Sequence, residues 1–312
     1  MTVIFSPFIG QVGRIEPYIS SDELKFSATA SSLDFADLVA NGSQAANDRA
    51  LNELIKRASG KIDAYLFGKL GTLNATSNTE NGRYRMDRDG RFKIHPKYTP
   101  LLAVSDFQWG QNMGVMTDLA LTTSNCWNEE ETIIIYPSGS PTSVTFSGTD
   151  ALAQLVGDYG SGEYYCQYTY VNGYPNTFTT TSTAAGSTSI PVTDPTGIYP
   201  GTQINFWDGM NDESVTVSSS YVTGSTTVAL ESGTLYKHGI GVNFSQMHTN
   251  VKQACIHFVI SMVKERGQGG GFEISPAGEV VNSTSGKTKG FDDDQMAAFD
   301  LLDEFQAISG RL

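Results

Sequence analysis

The feature that most constrains the fold of this chain is a helical periodicity between Phe244 and Arg266. Its apolar residues recur three or four positions apart: Val251, Ala254, Cys255, Phe258, Val259, Met262 and Val263. This spacing predicts a helix with one buried stripe. Ser245 stands where an N-cap oxygen is expected, and Gly267 stands where helices commonly end in a left-handed residue. We therefore expect a central helix that closes a fold interrupted earlier in the chain.

The composition limits the classes of function. The chain has 312 residues and a formal net charge of −13, and 17% of its residues are charged. This length suits one large domain or two smaller ones. Binding of DNA phosphates needs clustered Lys and Arg, so the acidity argues against a surface that grips DNA. It is compatible with a wall past which DNA slides, because an acidic wall repels the duplex.

The cysteines and the N-terminal sequence indicate where such a protein is made. Cys126, Cys166 and Cys255 fit neither a disulfide framework nor a zinc spacing, which predicts three reduced thiols in a cytoplasm. We expect no signal peptide, because the N-terminal sequence lacks a basic start and a long apolar run. No run of about 18 apolar residues occurs, so no membrane contact is expected.

The first half of the chain predicts an arm, two helices and a polar loop. Residues 1–19 are interrupted by Pro and Gly but contain apolar residues, so this N-terminal arm should dock on its own core or on a neighbour. Ser20 and Glu23 form a capping-box pattern that opens a short helix. A longer helix is predicted over 44–67. Residues 71–90 are polar and turn-rich, and predict either a solvated hairpin or a loop that faces a partner or passing nucleic acid.

The second half predicts β-structure followed by two helices. Alternation in 163–173 places Tyr164, Cys166, Tyr168 and Tyr170 on one strand face, either for core packing or for stacking sugars. Residues 175–242 are rich in Pro and Gly and predict a small inserted all-β domain, with turns at Pro200-Gly201 and Asp208-Gly209. A last helix follows Asp292–Asp294, after a flexible joint. It should dock on another subunit or pack on its own domain.

Catalytic patterns are weak throughout the sequence. The four histidines, His95, His238, His248 and His257, lie at unrelated places, and no hydrolase or metalloprotease motif occurs. Asp87, Asp89 and Gly90 resemble part of a calcium loop, but Arg85 and Pro96 occupy its first and last positions. We therefore predict a protein that is not an enzyme and that holds no cofactor or metal.

The order of these segments resembles the head–tail adaptor (connector) proteins of tailed bacteriophages. The resemblance lies in the capped helix of Tyr18–Lys25, the helix sequence Ala58–Leu66, the tyrosine strand that ends in Tyr168–Tyr174, and the Lys-x-Ala helix start at Val251–Cys255. It implies an α+β fold: a helical adaptor core with a small antiparallel sheet, plus an inserted all-β domain. The implied division is an arm (1–19), an adaptor core (20–174), the inserted domain (175–242), the central helix (243–270), and a joint with a C-terminal helix (271–312).

The resemblance also implies a function and partners. It implies a ring of about twelve copies in the virion neck, assembled in the host cytoplasm, which joins the portal to a tail or neck protein and lets DNA pass without specific binding. The C-terminal segment would dock on the portal through its apolar residues: Phe291, Met296, Phe299, Leu302, Phe305 and Ile308. A channel loop would carry the following charged residues: Arg83, Arg85, Asp87, Arg88, Asp89 and Arg91.

Two other functions remain open from the sequence. One is a β-rich module that binds carbohydrate or another surface, with the tyrosine face as its platform. Its discriminating test is a glycan panel, which the adaptor interpretation predicts to be negative. The other is a hydrolase whose site carries no recognised motif.

Overall fold

A computed structural model describes residues 16–31, 42–67, 71–87, 89–129, 131–137, 163–265, 273–274, 280–281 and 293–309, with the single positions 33, 35, 38 and 39. The chain divides into two compact units. The first unit runs to Asn74 and resumes at Pro175, and the second unit spans Ala75–Tyr174. The first unit therefore contains the described helices as well as residues 175–242. The sequence had suggested a core over 20–174, with 175–242 as a separate insertion.

β-Structure exceeds helix in the part of the chain that the structure describes, where 34% of residues lie in strands and 28% in helices. The expected helical adaptor core with a small antiparallel sheet is therefore wrong. The physical reason is that segments rich in Thr, Asn, Ser and Tyr pair into antiparallel ladders in both units, and β-branched and aromatic residues suit such surfaces. Helices fill only part of the first unit.

Four α-helices occur among the described residues: α1 (Ser21–Phe26), α2 (Gln44–Phe67), α3 (Thr249–Glu265) and α4 (Asp293–Ser309). A 3₁₀ turn, Ala28–Ala30, follows α1. The predicted capping box of α1 is confirmed, because Ser20 Oγ accepts from the Glu23 N–H and the Glu23 carboxylate accepts from the Ser20 N–H. The predicted bounds of α2 are confirmed as well. Helix α3 packs against both α2 and α4.

The central helix α3 begins later than its sequence pattern predicted. Ser245 is not an N-cap but the last residue of a strand, where its hydroxyl donates to the Pro175 carbonyl and accepts from the Met247 N–H. The strand forms because both of its edges find partners. The predicted apolar stripe is buried except for Met262, which is half-buried. Ile256, Ile260 and Ser261 are buried too, so α3 is enclosed on most sides.

The second unit contains two antiparallel sheets. Its strands are β1 (Thr76–Arg85), β2 (Phe92–Ile94), β3 (Leu101–Asn112), β4 (Val115–Asp118), β5 (Cys126–Glu129), β6 (Thr132–Ile135) and β7 (Glu163–Asn172). One sheet has the order β1-β7-β3-β4 and the other has the order β2-β6-β5. Side chains from both sheets, among them Phe92, Phe107, Ile133 and Tyr168, form one core.

The segment 71–90 was predicted to be a solvated hairpin or a loop, but half of it is strand β1. β1 pairs with β7 in continuous register, from Thr76 opposite Asn172 to Arg85 opposite Glu163. Its side chains alternate between half-buried and exposed, as expected for a strand with one solvated face. Among the described residues of this segment, 71–75 and the turn after β1 lie outside the regular strands.

The β-structure of the first unit lies mainly between Asn176 and Ser245. Its strands are β8 (Asn176–Phe178), β9 (Ser189–Pro191), β10 (Gln203–Trp207), β11 (Glu213–Thr216), β12 (Thr227–Ala229) and β13 (Asn243–Ser245). The order β11-β10-β13-β8 forms one sheet, and β9 pairs with β12. The predicted turns are confirmed, since Gly201 and Gly209 have φ of 79° and 81°, which glycine adopts without strain. Further along, β14 (Glu273–Ile274) pairs with β15 (Val280–Val281).

Truncation of a core aromatic should destabilise the second unit. Phe107 is fully buried between the two sheets, so Phe107→Ala should lower the free energy of unfolding by about 3–5 kcal/mol. Thr123→Ala is the control, because Thr123 is exposed in the same unit. Urea unfolding followed by the fluorescence of Trp109, which contacts Phe92 in this core, measures both variants. Equal midpoints for the two variants would contradict the assignment of this core.

Candidate functional site

The most constrained polar site in the first unit surrounds the buried side chain of Lys252 on α3. Its Nζ donates to the Tyr18 carbonyl at 3.1 Å, to both oxygens of Glu23 at 3.0 Å, and to Asn243 Oδ1 at 2.7 Å. The Trp207 ring lies with its centroid 4.6 Å from the same nitrogen. These acceptors belong to α1, the chain before it, and β13. One ammonium group therefore ties α3 and the nearby β13 to the start of the first unit, where its partners Glu23 and Tyr18 lie 229 and 234 residues away in sequence.

Burial shifts both partners of this ion pair in opposite directions. Desolvation lowers the pKa of Lys252 from its ordinary value, and the neighbouring Glu23 carboxylate opposes that shift. Desolvation raises the pKa of Glu23, and the Lys252 ammonium opposes it. Because the two remaining acceptors are neutral carbonyl oxygens, the geometry requires an ammonium donor. The side chains of Lys252 and Glu23 are 3% and 10% exposed, so the site is a buried link between segments of the chain.

A second buried site joins the start of the chain to the end of α2. Asp63 accepts hydrogen bonds from the Tyr18 hydroxyl and from the Leu73 N–H. Desolvation raises the pKa of Asp63 from 3.8 to about 6, while these hydrogen bonds oppose the shift. Tyr18 and Ile19 are buried. The last residues of the predicted arm therefore belong to the core of the first unit, whereas residues 1–15 lie outside the described residues.

A third buried site holds His238 between two carboxylates. Its Nδ1 lies 2.7 Å from Asp208 Oδ2, and its Nε2 lies 2.6 Å from Glu213 Oε1. The ring stacks on Phe206 with centroids 4.0 Å apart and an interplanar angle of 3°. Both nitrogens face carboxylate oxygens, so the imidazolium, which donates twice, is the form that fits. His238 is fully buried, so this triad holds the β10–β11 hairpin rather than offering a catalytic base.

The predicted channel residues lie on a strand and a turn. Arg83 and Arg85 are on the exposed face of β1, and Arg83 Nη2 donates to the Tyr165 hydroxyl at 2.8 Å. In the turn, the Asp87 carboxylate accepts from the Arg91 N–H and Nε, and Arg91 also pairs with Asp89. Arg88 lies outside the described residues. The structure therefore brings Asp87, Asp89 and Arg91 together in the turn, whereas Arg83 and Arg85 lie on strand β1.

The predicted portal-binding residues lie mostly against the chain's own core. Leu302 and Phe305 are buried, and Phe299 packs on Tyr65 and Phe258 with ring centroids 4.6 and 5.2 Å away. Met296 is exposed. Phe291 and the side chain of Ile308 lie outside the described residues. Helix α4 is therefore docked within its own unit, where Asp294 also pairs with Lys264 and His257.

The tyrosine face of β7 is not open to a ligand. Cys166, Tyr168 and Tyr170 are fully buried, and Tyr164 is half-buried. The hydroxyls of Tyr168 and Tyr170 both donate to the carboxylate of Glu80 on β1. This arrangement agrees with core packing and leaves no exposed stack of rings for a sugar.

One open groove of the second unit contains a histidine, His95. His95 Nδ1 lies 3.1 Å from Thr132 Oγ1 in an open groove that Lys93 and Glu129 also line, but the described residues place no group to orient the other histidine nitrogen. Within the described ranges, no cluster of three or more His, Cys, Asp or Glu side chains could hold a metal ion. Among the described helices, none is long and apolar enough to cross a membrane.

Comparison with known proteins gives no relative for this chain. No family model matches it, and no curated protein or solved structure is significantly similar to it. The sequence also did not reveal the roles of Lys252 and His238. The available signal for Lys252 was its position, since it lies between Val251 and Ala254 of the apolar helix stripe. His238 had none, because its partners lie 25 and 30 residues away in sequence.

The raised pKa of Asp63 predicts a pH dependence of stability. The folded state holds a proton up to about pH 6, whereas the unfolded state releases it near 3.8. The stabilisation is therefore complete below pH 3.8 and is lost as the pH rises through about 6. Asp63→Asn should remove this loss, which is on the order of 2 kcal/mol. Urea unfolding of both proteins at pH 4.5 and 6.5 measures it, and parallel pH profiles would contradict the assignment.

Proposed function

We propose that this chain is a structural component of the neck of a tailed bacteriophage, where it assembles into a ring between the portal and the tail. The observation that carries the proposal is the Lys252 site. It joins the two helical segments on which much of the resemblance rests, Tyr18–Lys25 and Val251–Cys255, through direct hydrogen bonds. Residues that resemble the connector proteins in order along the chain therefore also work together in space.

The burial of the tyrosine face supports this proposal over the carbohydrate-binding alternative. That alternative needs exposed rings, and Tyr168 and Tyr170 are fully buried. The polar groups that the structure concentrates, at Lys252, Asp63 and His238, all hold chain segments together. Three closed polar sites of this kind suit a mechanical role better than a catalytic one.

In this proposal the mechanism is geometric. Copies associate head to tail, and a rotation that closes on itself yields a ring with no free interface. Met113 and Val115, at the tip of the β3–β4 hairpin, are exposed apolar side chains of the kind that subunit contacts bury. The net charge of −13 suits a channel through which DNA passes without specific binding. The ring would sit in the virion neck after assembly in the host cytoplasm.

Helix α4 sets a condition on the proposed portal contact. Leu302 and Phe305 can reach the portal only if α4 leaves its own unit, whereas Met296 is already exposed. We therefore place the first portal contact at the outer face of α4, around Met296. Binding through that face leaves the buried side of the helix in place.

The proposed function predicts a closed ring in solution. Native mass spectrometry of the purified full chain, over a range of concentrations, should show one discrete species of about twelve copies of the 33.7 kDa chain. Met113→Ser with Val115→Ser should weaken ring formation, and Val222→Ser, an exposed site in the other unit, serves as the control. A chain that stays monomeric at every concentration and binds members of a glycan panel would contradict the proposal.

A further inference from the structure

The Lys252 site brings together three groups that can form an amide bond between two side chains. They are an amine that can attack, on Lys252, a side-chain amide that can be attacked, on Asn243, and a carboxylate that can carry protons, on Glu23. Lys252 Nζ lies 2.7 Å from Asn243 Oδ1 and 3.0 Å from both Glu23 oxygens. All three groups therefore meet at one nitrogen atom.

Neighbouring residues hold the Asn243 side chain in one orientation. Its Nδ2 donates to Asn176 Oδ1 at 2.8 Å and to the Thr177 carbonyl at 3.3 Å. Because both of these oxygens only accept hydrogen bonds, the amide nitrogen faces them and the amide oxygen faces Lys252. Asn176 is itself fixed, because its Nδ2 donates to Asn74 Oδ1 at 2.9 Å. The amide carbon of Asn243 is thus kept beside the lysine nitrogen.

Burial brings the uncharged forms of the ion pair within reach. The side chains of Lys252 and Glu23 are 3% and 10% exposed, and Asn243 is fully buried. Desolvation lowers the pKa of Lys252 and raises the pKa of Glu23, so both shifts favour transfer of a proton from the ammonium to the carboxylate. The ion pair is the form of the newly folded chain, and the neutral pair is the minor form that reacts. A desolvated lysine amine is a nucleophile.

We propose that Lys252 and Asn243 form an isopeptide bond after the chain has folded, with Glu23 as the group that carries the protons. Glu23 takes a proton from the Lys252 ammonium, and the resulting amine attacks Asn243 Cγ. As the bond between Cγ and Nδ2 breaks, Glu23 gives its proton to the departing nitrogen and takes another from the attacking nitrogen.

The atoms and charges of this step balance. The ammonium starts with three hydrogens and the amide nitrogen with two. One of them stays on the new amide, three leave as ammonia, and one remains on the Glu23 carboxyl. The site therefore becomes neutral, which suits its burial. No electrons are gained or lost, so the step needs no oxidant, reductant or cofactor.

Fixed positions offset the low reactivity of an amide towards an amine. Well-oriented groups within one molecule react as if the partner were present at about 10⁵–10⁸ M. Ammonia that leaves the site is diluted into the solvent, so the reverse reaction lacks its partner. The bond joins β13 to the start of α3, across nine positions of the chain. The ion pair thus positions α3 during folding, and the bond keeps that position afterwards. This inference goes beyond the proposed function and does not depend on ring formation, because all its groups belong to one copy.

Peptide mapping of the full chain tests the crosslink. Trypsin does not cleave after a lysine whose nitrogen is in an amide bond, so the crosslinked chain gives one peptide over 238–264 that lacks the mass of one ammonia. Cyanogen bromide then cleaves after Met247, between the two joined residues. We expect the fragments on either side of Met247 to stay joined. Separate fragments, even after prolonged storage of the folded protein, would overturn the proposal.

Three variants test the role of each group. Lys252→Arg keeps the positive charge and removes the amine, so its fragments should separate. Glu23→Gln keeps both reacting groups and removes the proton carrier, so crosslinking should slow about 10²-fold or more. Lys237→Arg replaces an exposed lysine of the same unit and should leave the rate unchanged.

Circular dichroism of each variant checks that it is folded, and the map of the unsubstituted chain decides the proposal if a variant is not. Joined fragments in Lys252→Arg would show that another group forms the crosslink and would overturn the proposal. An unchanged rate in folded Glu23→Gln would overturn the assignment of Glu23 as the proton carrier.

Discussion

The first unit depends on the ion pair and the hydrogen bonds that the ammonium group of Lys252 makes. Removing an ammonium and a carboxylate from water costs several kcal/mol per ion, and their attraction offsets this only if the remaining hydrogen bonds are made. Here Glu23 supplies the opposite charge, and the Tyr18 carbonyl and Asn243 Oδ1 complete the set. Helix α3 therefore has one position relative to α1 and β13 in which this charge is tolerated. An apolar contact at the same place would allow the helix to slide or rotate.

The same principle recurs at the other polar sites and connects the fold to the proposed role. Asp63 fixes the start of the chain to α2, and the His238 triad fixes the β10–β11 hairpin to the loop before β13. In each case the polar side chains bond to other residues of the same chain. Exposed apolar side chains remain for partners on each unit: Val115 at the hairpin tip of the second unit, and Met296 on the outer face of α4 in the first. A neck component that holds its neighbours in position, and catalyses no reaction, would have this distribution of buried polar groups and exposed apolar side chains.

Local patterns in the sequence predicted local structure well. The capping box at Ser20, the bounds of α2, the buried stripe of α3 and the turns at Gly201 and Gly209 all follow from short-range rules, and the structure agrees with them. Arrangements that depend on distant partners were harder to predict. Ser245 has the chemistry of an N-cap but pairs in a sheet, and the polar residues of β1 suggested a loop until β7 provided a partner.

The fold class was wrong because the strongest signals in the sequence are helical. The helical stripes are strong signals, so they suggested a helical core. The strands of the second unit, together with the short strands in 175–245, leave weaker patterns but exceed the helices among the described residues. Likewise, the stripe of α4 predicted an apolar face without saying what covers it, and the structure covers Leu302 and Phe305 within the chain itself. His238 gave no signal as a site, because its partners lie 25 and 30 residues away, and the signal at Lys252 did not identify Glu23, which lies 229 residues away.

A double-mutant cycle at Lys252 and Glu23 tests the central claim most directly. The free energy of unfolding is measured for the parent protein, Lys252→Met, Glu23→Gln and the double variant. We expect Lys252→Met alone to cost about 3–5 kcal/mol, because it leaves a buried carboxylate unpaired. The double variant should be more stable than the sum of the single losses predicts, by about 1–3 kcal/mol. Strictly additive losses would contradict the claim that this ion pair holds the first unit together.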